Sequence, residues 1–532
     1  MAVEVVVGTG GRDEPRDPRD PVPATGRPRA AVVAVGLVLV ACALLRGVAA
    51  EAYLPWQHHW DEITNVGVGQ TMSDELALDP GFYDYPALVF LTQAIVLVPA
   101  KVAGYDPDVD GEILDVQGQA VAHVDHVGLL RAIRWTTGVL PQLVTAAVAA
   151  LIAWVASRRW YASAGAALLV TLSAVDMRFG TFVTPDALSG MAATLACLGA
   201  VMVTLDPSRR RYLWTGAAIG LAAAAKYNAA AVAITLVVAH LLTHRRPVAE
   251  RRPLLEAAGA AALVFAAVNL GGVLNPVGLV REIGSEGVHY STGHFGSQGN
   301  SPAFHAAWLW RSFGLALPLA ACSLLTRSAA TRRAAIVLLS FIGTYYAFLS
   351  VFPVRFARNL LPVSGAVAAA AAIGLVAVAQ RLFELSPRRA LASAAVAVLA
   401  AGVLIVPVIG TSGALADLAE DPWSEARAWM DENLPEGSTI ATEAWTPYID
   451  TSKFDVVHNS ALGRHGMSYG DYTARGVDYF VTAEEMSQPF LDDPEENPHA
   501  AYMYVVLLDD ECVVYEVEGA THHFTVSKTP PC

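Results

Sequence analysis

Charge is what this sequence has least of. Only 16% of its 532 residues are Asp, Glu, Lys or Arg, where a soluble chain carries about a quarter. Lysine is almost missing, with residues only at positions 101, 226, 453 and 528; we read the preference for arginine as a base-composition bias. Cysteine is scarce too. The five present are too few for a disulfide scaffold. Cys42, Cys197 and Cys322 fall in apolar runs and read as small core residues. Cys512 and Cys532 lie in a polar tail and can pair if that tail is outside the cytoplasm. Excess positive charge is absent as well: the formal net charge of −14 excludes nucleic acid as a partner.

Apolar sequence fills the space. Hydrophobic residues make up 54% of the chain and the mean hydropathy is +0.42. Runs of about 17–25 apolar residues recur, the signature of a polytopic α-helical membrane protein. Buried helices of a soluble α/β protein would be shorter and amphipathic. About eleven spans are expected, near 30–50, 131–156, 162–177, 187–204, 212–225, 227–243, 254–273, 304–325, 334–351, 359–379 and 390–410. Residues 1–29 are rich in Pro, Gly and charge, and are expected to be a disordered tail. The apolar run after them is long and no clear small-residue cleavage site follows that run, so they do not read as a signal peptide.

The arginine clusters fix which side is which. "SRRWY", "SRRRY", "THRRPVAERRP", "TRSAATRR" and "QRLFELSPRR" all fall on the side of the N-terminus if Tyr85–Val102 does not cross. That segment, with its interior Pro99, is therefore expected to lie along the membrane surface. The positive-inside rule then puts the N-terminus in the cytoplasm and the C-terminal tail outside. Beyond residue 411 the composition changes. "DPWSEARAWMDENLPEGSTIATEAW" reads as an amphipathic helix, a turn and a strand, and "VDYFVTAEE" and "AYMYVVLLDDECVVYEVEG" as two or three further strands. A small acidic extracytoplasmic α/β domain over 411–532 is expected, after a membrane domain over 30–410 whose first outer loop, 51–130, carries surface helices.

On this topology the unusual polar residues share one face. Asp61 and Glu62 stand just beyond span one, beside Trp56, Trp60 and two histidines. Asp84-Tyr85-Pro86 opens the surface helix, with proline at an early helical position. Arg178 and Asp186 flank a turn between two spans. Lys226 interrupts a very apolar stretch, "GLAAAAKYNAAAVAI", where a lone lysine is costly unless it snorkels or meets an anion. Arg355 and Arg358 are three apart, one helical face if the last spans begin there. They are cations on the wrong side for the positive-inside rule. Each feature also has a plain reading as a span anchor, a helix start or a solvated loop. Together they place acids that can take a proton from a hydroxyl beside cations that can hold a phosphate. Glycosyl transfer from a lipid-linked phosphosugar uses those parts. Attack of an acceptor hydroxyl on the anomeric carbon, assisted by a base, expels polyprenyl phosphate and inverts the centre.

The ordered series "DE" after span one, "DYPAL", "RFGTFVTPDAL", "GLAAAAKYNA" and "RFARNLLPV" resembles the GT-C superfamily of polyprenyl-phosphate-sugar glycosyltransferases, in the branch of protein O-mannosyltransferases and aminoarabinose transferases. The likeness runs over about residues 30–380, and the tail resembles the extracytoplasmic extensions of some members. The resemblance implies that Asp61 is the general base with Glu62 its neighbour, and that Asp186 is the second acid. It implies that Lys226, Arg355 and Arg358 lie on the donor-phosphate side. Asp84, Tyr85 and Arg178 are grouped with them as donor-binding candidates. The implied partners are a polyprenyl-phosphate-linked sugar, membrane lipid, and an acceptor that is a protein, a lipid or a glycan.

The chain departs from the family at Tyr85-Pro86-Ala87, where His-Pro-Pro or Tyr-Pro-Pro is common, and in the inserted segment "YDPDVDGEILDVQGQAVAHVDHVG". The acids and histidines of that segment match no ligand spacing, so a divalent metal finds no support and no cofactor is expected. The main alternative is a transporter or flippase of lipid-linked sugars, which would need ionisable groups at mid-bilayer and internal repeats. A receptor built on the acidic tail is the other, and it leaves Lys226 and the arginine pair without a role.

Overall fold

The computed structural model describes residues 28–532 except 58, 105–121, 124–126, 294–296, 460, 464–466, 496, 520–521 and 531. The N-terminal tail and most of the inserted segment lie outside the described residues.

The chain is a polytopic helical membrane protein with a small C-terminal α/β unit. Helix α1 (Pro28–Ala49) is followed by α2 (Trp60–Glu75), α3 (Leu88–Val102), α4 (Val127–Ser157), α5 (Trp160–Thr171), α6 (Ala174–Phe179) and α7 (Pro185–Leu205). Next come α8 (Arg209–Ala225), α9 (Tyr227–Thr243), α10 (Arg252–Val268), α11 (Pro276–Thr292), α12 (Ser301–Phe313) and α13 (Ala316–Leu325). The membrane part closes with α14 (Ala329–Val351), α15 (Ala357–Leu385) and α16 (Arg389–Ala419).

Each of the eleven expected segments is helical. Among the described residues six helices are long and apolar enough to cross a bilayer, or seven if α12 and α13, bent by 92°, count as one. The others are shorter: α5 has 12 residues, α8 and α10 have 17 each. Breaks such as the bend between α12 and α13 interrupt the regular ladder of spans. Helix α15 is the central post, with 89% of its apolar window buried, whereas α1 buries only 11% and turns Val33, Leu37 and Leu44 outward. Alanine and glycine let the central helices approach closely. A Cβ on Gly374 of α15 would meet the Leu319 carbonyl of α13 at 1.7 Å.

Three local differences from expectation stand out. Helix α3 starts at Leu88, two residues after Pro86, and the Ala87 N–H, free of any helical partner there, donates to Asn269 Oδ1 at 2.7 Å. Helix α16 runs on to Ala419, so the C-terminal unit begins at the Asp421 cap rather than at 411. That unit contains α17 (Pro422–Asn433), β1 (Thr439–Thr442), β2 (Asp455–His458), α18 (Tyr469–Ala474), β3 (Tyr479–Ala483), α19 (Glu484–Asp492), α20 (Pro498–Leu507), β4 (Val513–Glu518) and β5 (His523–Lys528). The run "AYMYVVL", expected to be a strand, is most of α20. Pro498 opens it, and Ala500, Ala501, Met503, Tyr504 and Leu507 form a buried helical stripe with Tyr502 and Val505 outside.

The sheet order is β2-β1-β3-β5-β4; β1 is parallel to β2 and β3, and β5 is antiparallel to β3 and β4. A disulfide joins Cys512 and Cys532, and Cys42, Cys197 and Cys322 are free thiols.

Candidate active site

Four charged side chains from four parts of the chain meet at one end of the membrane domain. Helix α2 starts after an extended His59 and carries Asp61 and Glu62 in its first turn, where the helix dipole favours carboxylates. Helix α7 opens with Pro185, which places Asp186 at the next position. Lys226 occupies an extended break (φ −152°, ψ 128°) between α8 and α9. Arg358 lies in the tight turn that opens α15.

Asp61 Oδ2 is 2.5 Å from Arg358 Nη1, and Arg358 Nε is 4.0 Å from Asp186 Oδ2. Lys226 Nζ donates to Asp186 Oδ1 and to Asn359 Oδ1, each at 2.6 Å. Asp186 and Lys226 are buried, and Asp61 and Arg358 retain 13% and 18% side-chain exposure. Asp61 Oδ2 and Asp186 Oδ2 are buried without an aligned hydrogen-bond donor, as are Nδ1 of His59 and Oδ1 of Asn228. Burial by itself would raise the Asp61 carboxyl. The Arg358 guanidinium, with His59, Lys226 and the Tyr85 hydroxyl, outweighs it and holds Asp61 below the usual carboxylate range. Burial pushes the Tyr85 hydroxyl well up and the His59 imidazole down.

The neighbouring carboxylate goes elsewhere. Glu62 takes both Nε (2.8 Å) and Nη2 (2.6 Å) of Arg134, and its Oε1 also accepts the Val183 N–H at 3.0 Å. Both partners have no side-chain exposure. Arg134 also donates to the carbonyls of Ala50 and Ala52 and lies over the Phe182 ring. Successive helical positions point about 100° apart, and Asp61 and Glu62 engage different arginines. Of the two catalytic candidates, Asp61 is in the cluster and Glu62 is held by Arg134. Glu62 ties the turn after α1, the start of α2 and the strand of chain before Asp186 into one frame. Glycine makes that frame compact: α4 contains a π-turn over Trp135–Val139, and a Cβ on Gly138 would lie 2.8 Å from the Gly180 carbonyl.

Arg178 is not in the cluster. Its Nη1 is 2.9 Å from Asp417 near the end of α16, a carboxylate that Arg311 also approaches at 3.7 Å. Arg355 lies over the Phe304 ring at 5.6 Å and forms no ion pair among the described residues. Its backbone N–H is held by the Ser297 carbonyl at 2.8 Å. Asp84 faces Glu282 and His289. Burial, then the Glu282 carboxylate, raises its pKa, and His289 opposes.

Sequence reasoning missed the partners. Arg134 stands at the flank of a span and Asn359 directly after Arg358, and Tyr290, which accepts from Asn359 Nδ2 at 3.1 Å, is on α11, in what reads as an outer loop. The loop bearing Tyr85 is fixed from the same side: Tyr227 donates to the Tyr83 carbonyl at 2.9 Å, and the Tyr83 N–H to Glu282 at 2.6 Å. Among the described residues no group of three or more His, Cys, Asp and Glu side chains could hold a metal ion.

Known proteins share this architecture. The family described as dolichyl-phosphate-mannose-protein mannosyltransferase matches residues 131–270, a stretch that includes Asp186 and Lys226 but not Asp61 or Arg358. The structure is similar to that of ArnT from Cupriavidus metallidurans bound to undecaprenyl phosphate. The TM-score is 0.52 at 13% identity, over 93% of this chain and 97% of that one. It is also similar to the archaeal oligosaccharyltransferase AglB from Archaeoglobus fulgidus in complex with an inhibitory peptide and a dolichol-phosphate. There the TM-score is 0.50 at 12% identity, over 88% of this chain and 72% of that one. No protein of curated function matches in sequence. Over most of its length the chain shares the fold of these two solved structures.

Proposed function

We propose that this protein is a glycosyltransferase that moves a sugar from a polyprenyl-phosphate donor to a hydroxyl acceptor on the extracytoplasmic face. The observation that carries the reading is the cluster Asp61–Arg358–Asp186–Lys226, two carboxylates and two cations. Its formal charge is zero, and a phosphate entering the cluster would compete with the carboxylates for both cations. The solved relatives in complex with dolichol-phosphate and undecaprenyl phosphate support a lipid phosphate as that anion.

The chemistry follows from the exchange. A donor phosphate that takes Arg358 and Lys226 removes the neighbours that hold the Asp61 pKa down. Asp61 becomes a stronger base next to the anomeric carbon. The acceptor oxygen forms its bond to that carbon while the carbon–oxygen bond to phosphate breaks. Asp61 takes the hydroxyl proton, and Arg358 and Lys226 receive the charge growing on the leaving phosphate. One direct displacement inverts the anomeric centre. Arg355 and Asp84 remain candidates for contact with the donor head or the acceptor. The Cys512–Cys532 bridge supports a tail outside the cytoplasm, with the N-terminus inside.

The test is transfer by the purified protein in lipid, with radiolabelled polyprenyl-phosphate sugars and hydroxyl acceptors. Asp61→Asn should lower transfer by about 10²–10⁴-fold with the unfolding temperature unchanged. Full activity in that variant would remove Asp61 as the base, and lipid-sugar crossing without chemistry would favour a flippase.

A further inference from the structure

The proposed reaction makes no use of the opposite end of the membrane domain, where three of the arginine-rich loops converge. Helix α4 ends at Ser157, α14 starts at Ala329 and α15 ends at Leu385. Between them is a cavity of about 510 Å³. Its mouth is polar, with Arg159, Tyr161, Arg327 and Ser328; its wall is apolar, with Ile373, Val376 and Phe383. Along α15, at 1.5 Å per residue, it lies about 30 Å from Arg358, one hydrocarbon thickness away.

The rim is built rather than incidental. Thr331 donates to the Ala156 carbonyl at 2.7 Å and ties α14 to α4. Arg332 donates to the Thr326 carbonyl at 2.8 Å. The lining holds two arginines and one carboxylate, Glu384, and Glu384 is shared by Arg327 at 2.7 Å and Arg381 at 3.4 Å. A topological bias of arginine to one side requires only that these residues lie in the same compartment. It does not require that they surround a hydroxyl-lined cavity whose inner wall is apolar.

We infer that this cavity binds the headgroup of an anionic phospholipid. The phosphate meets Arg159 and Arg327, the hydroxyls of Tyr161 and Ser328 donate to it, and the first acyl carbons lie on Ile373, Val376 and Phe383. The site is separate from the proposed transfer reaction and stands or falls without it.

The experiment is native mass spectrometry of the delipidated full-length protein, with phosphatidylglycerol, phosphatidylcholine of the same chains, undecaprenyl phosphate and inorganic phosphate as probes. Phosphatidylglycerol should be retained in preference to phosphatidylcholine. The double variant Arg159→Gln with Arg327→Gln should weaken it by about 30-fold. Gln380→Trp, at an exposed position on the cavity lining, should block the mouth with no change of charge, and it decides the matter if the double variant fails to fold. Arg251→Gln with Arg252→Gln, on another loop, should have no effect. Equal retention of the two phospholipids, or unchanged binding in both the double variant and Gln380→Trp, would overturn the assignment. So would an equal loss in the control, preference for undecaprenyl phosphate, or full competition by millimolar phosphate.

Discussion

Two ion pairs diverge from one peptide bond, and they show opposite designs. The Glu62–Arg134 pair is sealed: its exposure is zero, its geometry is bidentate, and backbone groups at Ala50, Ala52 and Val183 complete it. The Asp61–Arg358 pair is single-contact, partly exposed, and leaves Asp61 Oδ2 without an aligned donor. A sealed pair resists exchange because separating it strands a buried charge. A pair that keeps some contact with solvent strands less charge when it separates. The first suits a frame and the second suits a site that must admit an anion, and sequence adjacency says nothing about which is which.

The comparison can be broken in graded ways. The largest effect is that of Asp61→Asn on transfer, described above, with stability intact. Arg134→Leu should do the reverse. It leaves Glu62 buried and unpaired and costs about 3–5 kcal/mol of stability, measured as a lower unfolding midpoint of the solubilised protein. Adding Glu62→Leu should return part of that loss; if it returned none, the frame would depend on the arginine's carbonyl contacts alone.

A third carboxylate, in the C-terminal unit, tests burial without a cation. Glu443 accepts from Leu462 N–H at 3.0 Å, Ala483 N–H at 3.1 Å and the Tyr504 hydroxyl at 2.5 Å. Burial pushes its pKa up from 4.5 to about 7 despite those bonds. The folded carboxyl therefore holds its proton while the unfolded one releases it. This contribution is fully present below about pH 4.5 and lost as pH rises to about 7, up to about 3 kcal/mol. Unfolding of the tail should become easier over that window, and Glu443→Gln should flatten the dependence. A wild-type tail with no pH slope between 5 and 7 would contradict it.

Smallest is Tyr85→Phe. It removes one hydrogen bond to Asp61 and should raise the acid limb of the pH–rate profile, with a rate loss of about 2–10-fold at neutral pH. A limb that moved down would mean that Tyr85 does not support the ionised form.

What the sequence made legible was what charge makes costly. Asp61, Asp186, Lys226 and Arg358 stand out because each borders or interrupts apolar sequence, and an isolated charge there demands a partner. Pairings were less legible. Arg178 and Asp417 are 239 positions apart, and no local pattern joins them. Arg134 reads as the flank of a span, yet it is fully buried. The run "AYMYVVL" is a helix against its β-branched and aromatic composition, because packing of one stripe overrides a weak propensity. Helix α11 lies in what reads as an irregular loop, and it brings Tyr290 to Asn359.

One consequence belongs to α16. Its 31 residues extend about 46 Å at 1.5 Å per residue, against about 30 Å of hydrocarbon. A helix of that length outruns the apolar layer, so it either tilts or extends past it. Arg178 on α6 and Arg311 on α12 hold its far end through Asp417, so the α/β unit that follows is joined to a helix end braced by two other helices.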